Sequence, residues 1–451
     1  MWQVNICSVL CAALFVTSTV QSVSADPLKF VQTDAAEKIN SDRDSGKTES
    51  GRPEKWKDAS ADYGLDQVKK WAEAHKAKNG NGYRYVYIPV EQASNKDMAN
   101  TLRVATGKIW NHLSWQKELS IPEDISGGAG LAFALNASKI WGADADRNWN
   151  FIANCSPKVN ISVSPASRRG CSSFDSSQPS PIPRFVFNAV NGGPYANIHK
   201  TPGSFNGFKQ KFKLGSIKHN STHKEAIVCG PRITTYRTVT YNGEELVYAY
   251  STDEFNGRDG GDIRYKNAPT ERDQRDTGAM NAGPGNSGTA VASEWWMQLP
   301  NGFLYWGIHG EGSQERGRAE SPFAIDPANW TQNWELQTGR SCITCHSSGV
   351  QSAVSDKEFA GKDGWSSNEE LAAFYFGLRN KFQSSMRVVV NAMSDGDSAF
   401  NDQIINGTIE PTSKAIMLIE GPFPGKSNCS FFCRGKYGAQ RQNLCSTLPA
   451  R

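Results

Sequence analysis

The stretch Gly339-Arg340-Ser341-Cys342-Ile343-Thr344-Cys345-His346-Ser347-Ser348 decides how this chain is read. Two cysteines stand three apart and a histidine follows the second directly. Four chemistries use cysteines at this spacing or close to it: covalent haem attachment, part of a zinc site, a redox-active dithiol, and a local disulfide. Each demands a different context, and the rest of the sequence supplies that context.

Haem attachment needs two thiols that add across the two vinyl groups of the porphyrin. An imidazole must then lie under the iron, and a histidine directly after the second cysteine supplies it. In that reading Cys342 and Cys345 carry the thioethers and His346 is the proximal ligand. A structural zinc site needs four ligands, and no second close Cys or His pair stands nearby. A thioredoxin-like dithiol belongs in a βαβ unit, whereas this motif follows a Trp- and Gln-bearing loop. The sixth iron position is open to several residues. Met386 and Met393 sit at helical spacing and read equally as core. Met417 lies in the apolar run "AIMLI", and His309 stands in "YWGIHGEG" upstream. With no ligand there, the iron would bind peroxide, oxygen or another small molecule.

The compartment agrees with haem chemistry. Ile6 to Val20 is an apolar run of signal-peptide length, too short to span a bilayer, and "SVSA" ending at Ala25 offers small residues for cleavage. The usual N-terminal Lys or Arg is missing from "MWQVN". Residues 1–25 are therefore expected to be a signal peptide. The rest is expected to be exported to the periplasm or beyond, without a transmembrane anchor. Of the ten cysteines, Cys7 and Cys11 fall in the signal and two in the motif. The remainder, Cys155, Cys171, Cys229, Cys429, Cys433 and Cys445, is even, as a disulfide set in an exported chain requires. Cys155 with Cys171 is an attractive local pair. The net charge of +4, spread without a basic run, argues against nucleic acid as a partner.

The chain divides by texture. Residues 26–80 are charged and polar around "NSDRDSGKTESGRPEKWKD" and read as a flexible arm. They end in a short helix with Leu65, Val68, Trp71 and Ala72 on one face. Residues 81–330 read as an α+β domain with much antiparallel sheet. "YRYVYIPV", "PRFVFNAV", "PRITTYRTVTYNGEELVYAYS" and "SEWWMQLPNGFLYWGIHG" are strand-like, and the Asn-Gly pairs in the last two signal hairpins. "NKDMANTLRVATGKIWNHLSW" is helical. Residues 331–451 read as a small, mainly helical cytochrome c-like module with a disulfide-bearing tail. There "SSNEELAAFYFGLRNKF" opens on a Ser366/Glu369 capping box, and "SMRVVVNAM" adds a second helical segment.

Three further patterns bear on function. "GPGNSGTAV" followed by "FLYWGIHGEG" resembles the nucleophile strand of trypsin-like serine peptidases, with Ser287 as candidate nucleophile. None of His112, His199, His219 and His223 has the small-residue context that this resemblance implies, and a glycine-rich loop before a strand explains the stretch more simply. "DADRNWN", Asp144 to Asn150, begins like a calcium loop but lacks the glycine and glutamate such a loop needs, so helix capping by Asp144 or Asp146 accounts for it better. Asn-x-Ser/Thr sequons, Asn136, Asn220 and Asn406 among them, carry little information.

Taken in order, "RYVYIPVEQAS", "IWNHLSW", "SEWWMQLPNGF", "SPFAIDP" and "GRSCITCHSSG" resemble stretches of a family of exported bacterial proteins with one cytochrome c motif. The resemblance runs from about Tyr83 to Gly349. It implies one covalently bound haem c on Cys342, Cys345 and His346 and an envelope location; the haem motif itself leads to the expectation of single-electron exchange with an unidentified redox partner. It also implies a variable loop, without catalytic role, around Ser287.

Overall fold

A computed structural model describes residues 63–155, 172–202, 210–211, 219–225, 233–242, 247–255, 290–310, 318–319, 336–350 and 368–420. The fold is mixed α+β. Its first sheet is small and has the order β2-β3-β1-β4, from β1 (Tyr83–Tyr87), β2 (Glu123–Asp124), β3 (Ala132–Asn136) and β4 (Ser180–Pro181). The second has five antiparallel strands in sequence order: β5 (His219–Glu225), β6 (Ile233–Asn242), β7 (Val247–Phe255), β8 (Ala290–Gln298) and β9 (Leu304–Gly310). Both expected hairpins form. Asn242 pairs with Val247 across "YNGE", and Gln298 pairs with Leu304 across "LPNGF". In the second turn Gly302 takes a positive φ of 89°, and a Cβ there would lie 3.0 Å from the Lys381 carbonyl.

Nine helices matter for the argument. They are α1 (Leu65–Asn79), α2 (Lys96–His112), α3 (Ala145–Ala153), α4 (Ile182–Val190), α5 (Gly192–Ile198), α6 (Arg340–Cys345), α7 (Asn368–Met393), α8 (Ser398–Ile405) and α9 (Pro411–Glu420). Helix α2 begins where Asn95 accepts the Met98 N–H, a side-chain N-cap. From Ala99 to His112 every residue of α2 is buried, so it is the central helix around which α4, α7 and α9 pack. Helix α1 is no free arm. Val68 and Ala72 are buried with Tyr63 and Leu131, while Leu65 at its start is exposed.

Two readings change. "PRFVFNAV" is helix α4, not a strand. An apolar run this short, broken only at Arg184 and Asn188, does not separate the two states by its pattern, and the prolines at its start suit a helix N-terminus. The two segments "SSNEELAAFYFGLRNKF" and "SMRVVVNAM" form one unbroken helix, α7; Ser366 of the capping box lies outside the described residues. Asp144 does stand at the N-cap of α3, but its side chain makes no capping bond. It pairs instead with Lys200 at 2.7 Å and Arg147 at 2.9 Å.

One buried cluster runs from Val86 on β1 through α2, α4, β8 and β9 to Ile343 on α6, Met386 on α7 and Ile416 on α9. Residues expected in the accessory domain and in the haem module therefore share a core. Across it Lys108 Nζ meets Glu410 Oε1 at 2.6 Å, with both side chains almost wholly buried. Glu410 also accepts the N–H groups of Thr412 and Ser413, and so caps α9.

Removing one partner of a buried pair strands the other charge, at a cost of about 3–5 kcal/mol. Lys108→Ala should therefore lower the urea unfolding midpoint by that equivalent. A Lys108→Met/Glu410→Leu double variant should recover most of the loss, leaving a deficit of about 1 kcal/mol for the missing cap.

Candidate functional site around Cys342 and His346

The motif folds as a single helical turn and a half. Gly339 precedes α6 with a φ of 80°, and a Cβ there would stand 2.8 Å from both the Val190 carbonyl and the Tyr195 ring. Glycine is needed here for backbone conformation and for close approach together. Ile343 N–H donates to the Gly339 carbonyl and His346 N–H to that of Cys342. Positions 342 and 345, three apart on the helix, fall on one face, and His346 is the C-cap. Cys342, His346, Ser347 and Ser348 are half-buried, flanked by buried Arg340, Ser341, Ile343 and Gly349. The motif thus offers a partly open strip on a well-packed base.

The His346 imidazole is held from two sides. Its Nδ1 lies 3.3 Å from the Gly349 carbonyl, an arrangement that makes Nδ1 the protonated nitrogen and directs the lone pair to Nε2. The Trp306 ring of β9 covers it, with centroids 4.5 Å apart and planes inclined by 32°. Gly349, at φ 93°, could not carry a side chain, since a Cβ would lie 2.8 Å from the Phe382 ring. From the other side the turn after α8 closes on the motif, where Ser347 Oγ donates to the Gly407 carbonyl at 3.2 Å.

Behind Trp306 lies a polar and aromatic cluster that sequence reading did not find. Trp306 N–H donates to Tyr195 Oη at 3.2 Å, and Tyr195 Oη and His112 Nδ1 both reach the Leu304 carbonyl, at 3.5 and 2.7 Å. Trp115 Nε1 donates to His199 Nδ1 at 3.1 Å, and His199 stacks on Tyr305 with centroids 4.3 Å apart. Burial pushes His112 down to about 3; Lys108 adds to the effect and the Leu304 carbonyl opposes it. Burial likewise holds His199 well below the ordinary range, helped by Lys211 and His112. Tyr195 is held well above the ordinary phenol range, first by burial, against the opposing Trp306 N–H, with Cys342 contributing. Among the described residues Nε2 of each histidine makes no hydrogen bond, although the His112 carbonyl near His199 favours its charged form. Spacing gives no hint of this cluster, because its members come from α2, α5 and β9 and the loops beside them.

The other sequence candidates scatter. Met386 and Met393 are fully buried in the α7 face of the core. The Met393 Cγ and Val389 crowd Gly107 of α2, where a Cβ would meet them at 3.1 and 2.7 Å. Met417 is half-buried on α9, a helix that touches α6. His309 is on β9, paired with Ser293. Cys155 is disulfide-bonded. Cys171, Cys229, Cys429, Cys433, Cys445 and Ser287 lie outside the described residues. His112 and His199, the two histidines nearest a peptidase reading whose surroundings are described, bond a carbonyl and an indole and no carboxylate. A cleft of about 400 Å³ opens between Tyr63, Tyr87, Glu91, Arg184 and Leu418, and no motif residue lines it.

The motif residues fit a covalently held haem in three respects. The two cysteine positions share a helical face, His346 has its Nδ1 engaged, and beside them the buried Trp306 Nε1 has no hydrogen-bond partner among the described residues. A buried donor left unpaired is costly and marks a place where a further acceptor can be received. Comparison with family models, curated proteins and solved structures finds no match to this chain.

The buried histidines make stability depend on pH. Their folded pKa values lie below the unfolded value of about 6.5, so the unfolded chain binds more protons as pH falls below that value. The contribution is complete above about 6.5 and is lost as pH falls toward 3. Urea midpoints should therefore drop between pH 7 and pH 5, and a His112→Asn/His199→Asn variant should show a flatter profile.

Proposed function

We propose that the chain is an exported c-type cytochrome with one covalently attached haem, carrying single electrons in the cell envelope. The observation that supports this most directly is the helical turn Arg340–Cys345, which puts both cysteine positions on one face and ends on a histidine oriented through its Nδ1. Attachment would add each thiol across one vinyl group, sulfur to one carbon and hydrogen to the other, with no external oxidant. Bound there, a haem would supply a one-electron iron couple.

This chain's own residues would do the rest. His346 would ligate through Nε2, and its Nδ1–H contact with the Gly349 carbonyl would raise the basicity of the ring. Ile343, Phe382 and Trp306 would exclude water from the protein side of the motif. No helix among the described residues is long and apolar enough to cross a membrane, and the apolar segment Ile6 to Val20 supports export.

A second reading, a haem-dependent redox enzyme of peroxidase or oxygenase type with an open sixth position, draws on a specific observation. Met386 and Met393 are committed to the core, so neither is at hand to close the coordination without repacking.

Export of the full chain from a host that matures c-type cytochromes should yield a protein whose haem survives acid-acetone extraction. Cys342→Ala/Cys345→Ala should lose that covalent haem, and a wild-type chain that carries none would defeat the proposal. Carbon monoxide separates the two readings: resistance at equilibrium supports the electron carrier, and rapid binding supports the open site.

A further inference from the structure

Three large apolar side chains are left exposed among the described residues: Leu65, Phe376 and Leu418. Leu65 and Leu418 are far apart in sequence, yet both line the cleft of about 400 Å³ beside Tyr63 and Tyr87. Apolar side chains left in water around a cavity of this size mark a small-molecule site. The wall is also stiff. Pro89, Pro181 and Pro183 contribute to it, each with its φ fixed by the ring. Tyr63 Oη donates to the Ile88 carbonyl, and Tyr87 is held in β1 with Ala132 on one side and Pro181 on the other. A ligand entering here would have little ordering to bring about.

The polar groups on the wall set the selectivity. Glu91, on the short helix Val90–Ala93, is exposed at the cleft, and its carboxylate makes no hydrogen bond or ion pair among the described residues. Tyr87 Oη has no hydrogen-bond partner among them either. Burial first and then the Glu91 charge hold both Tyr63 and Tyr87 above the ordinary phenol range, so the carboxylate acts on both rings. Arg184, on the α4 side of the wall, is a half-buried cation whose charged form is disfavoured by desolvation.

We propose that this cleft binds a small organic monocation, a primary ammonium on an apolar body, with the ammonium at Glu91 and Tyr87 and the body along Leu65, Leu418 and the prolines. An ammonium offers three donors and no acceptor, which suits a carboxylate and a phenol oxygen that have no donor of their own. The tyrosine rings bordering the cleft add the attraction of an aromatic face for a cation. A second positive charge at the far end would meet Arg184, so a diamine is disfavoured. None of the motif residues lines the cleft, and the proposal is independent of haem attachment.

The test titrates the full chain with 2-phenylethylammonium at fixed ionic strength, by calorimetry or ligand-observed NMR. A Kd of about 1 mM or tighter is expected, within the reach of a ligand this small. The neutral 2-phenylethanol, the anion 3-phenylpropionate and 1,5-diaminopentane should each bind at least about tenfold more weakly, as loss or misplacement of one charge-assisted contact predicts. Glu91→Gln should weaken the ammonium by about the same factor, and Tyr87→Leu by about fivefold. Glu118→Gln, an exposed acid that does not line the cleft, should change nothing. Equal affinity for the ammonium and 2-phenylethanol, or an unchanged Kd in Glu91→Gln, overturns the proposal. So does the absence of saturable binding, and preference for 3-phenylpropionate would assign the cleft to anions instead. Glu91→Gln, a change at the surface, decides the matter should Tyr87→Leu not fold.

Discussion

The contact on which the described fold most depends is the buried pair between Lys108 and Glu410, residues 302 apart in sequence. It joins the middle of the central helix α2 to the first residues of α9, and Glu410 simultaneously satisfies the exposed backbone donors of α9. A buried charge pair is weak evidence for net stability, because desolvation offsets most of the attraction. Its effect is on choice of arrangement. Any packing of α9 that separates the two groups leaves an uncompensated charge in the core, at a cost of several kcal/mol. Since α9 also packs on α4 and touches the motif helix α6, the pair ties the place of the Cys342–His346 turn to a residue in the opposite half of the chain.

A second constraint acts through shape rather than charge. Gly107, Gly339, Gly349 and Gly407 each lie where a side chain would collide with a neighbouring element: α7, Tyr195, Phe382 and Ser347 respectively. Three of the four surround the motif. Close backbone approach leaves the motif helix little room to move, and a six-residue helix needs such support because isolated helices of that length do not persist in water. The rigidity of the site is therefore tertiary in origin, and the Tyr195–Trp306 bond belongs to the same support.

Much of the fold could be read from local chemistry. Asn-Gly marked both hairpins, since that pair adopts the positive φ values that tight turns need, and the apolar spacing of residues 95–115 marked α2. What could not be read follows from the limits of local pattern. Helix α4 is only nine residues long, with its apolar run broken at Arg184 and Asn188 alone, so its pattern is too short to separate helix from strand. The motif was legible because its chemistry is confined to five consecutive residues. The histidine–aromatic cluster behind it was not, because Trp115, His199 and Tyr305 meet only after folding. In sequence His112 and His199 stand out only as histidines upstream of Ser287; the fold shows them buried, with lowered pKa values and Nδ1 hydrogen-bonded.

The same packing bears on the other face of an iron held by His346. To reach it, Met386 or Met393 would have to leave positions of zero exposure. Vacating a buried site of that size costs about 2–5 kcal/mol. Met393 would in addition give up its packing over Gly107, where an added Cβ would stand 3.1 Å from the Met393 Cγ. Met417 faces no such barrier, being half-buried on a helix already in touch with α6. Of the three methionine candidates, Met417 would move at low packing cost and Met386 and Met393 at high cost. Were Met417 to close the coordination, the place of its thioether would follow the seating of α9, whose start is held by the Lys108–Glu410 pair.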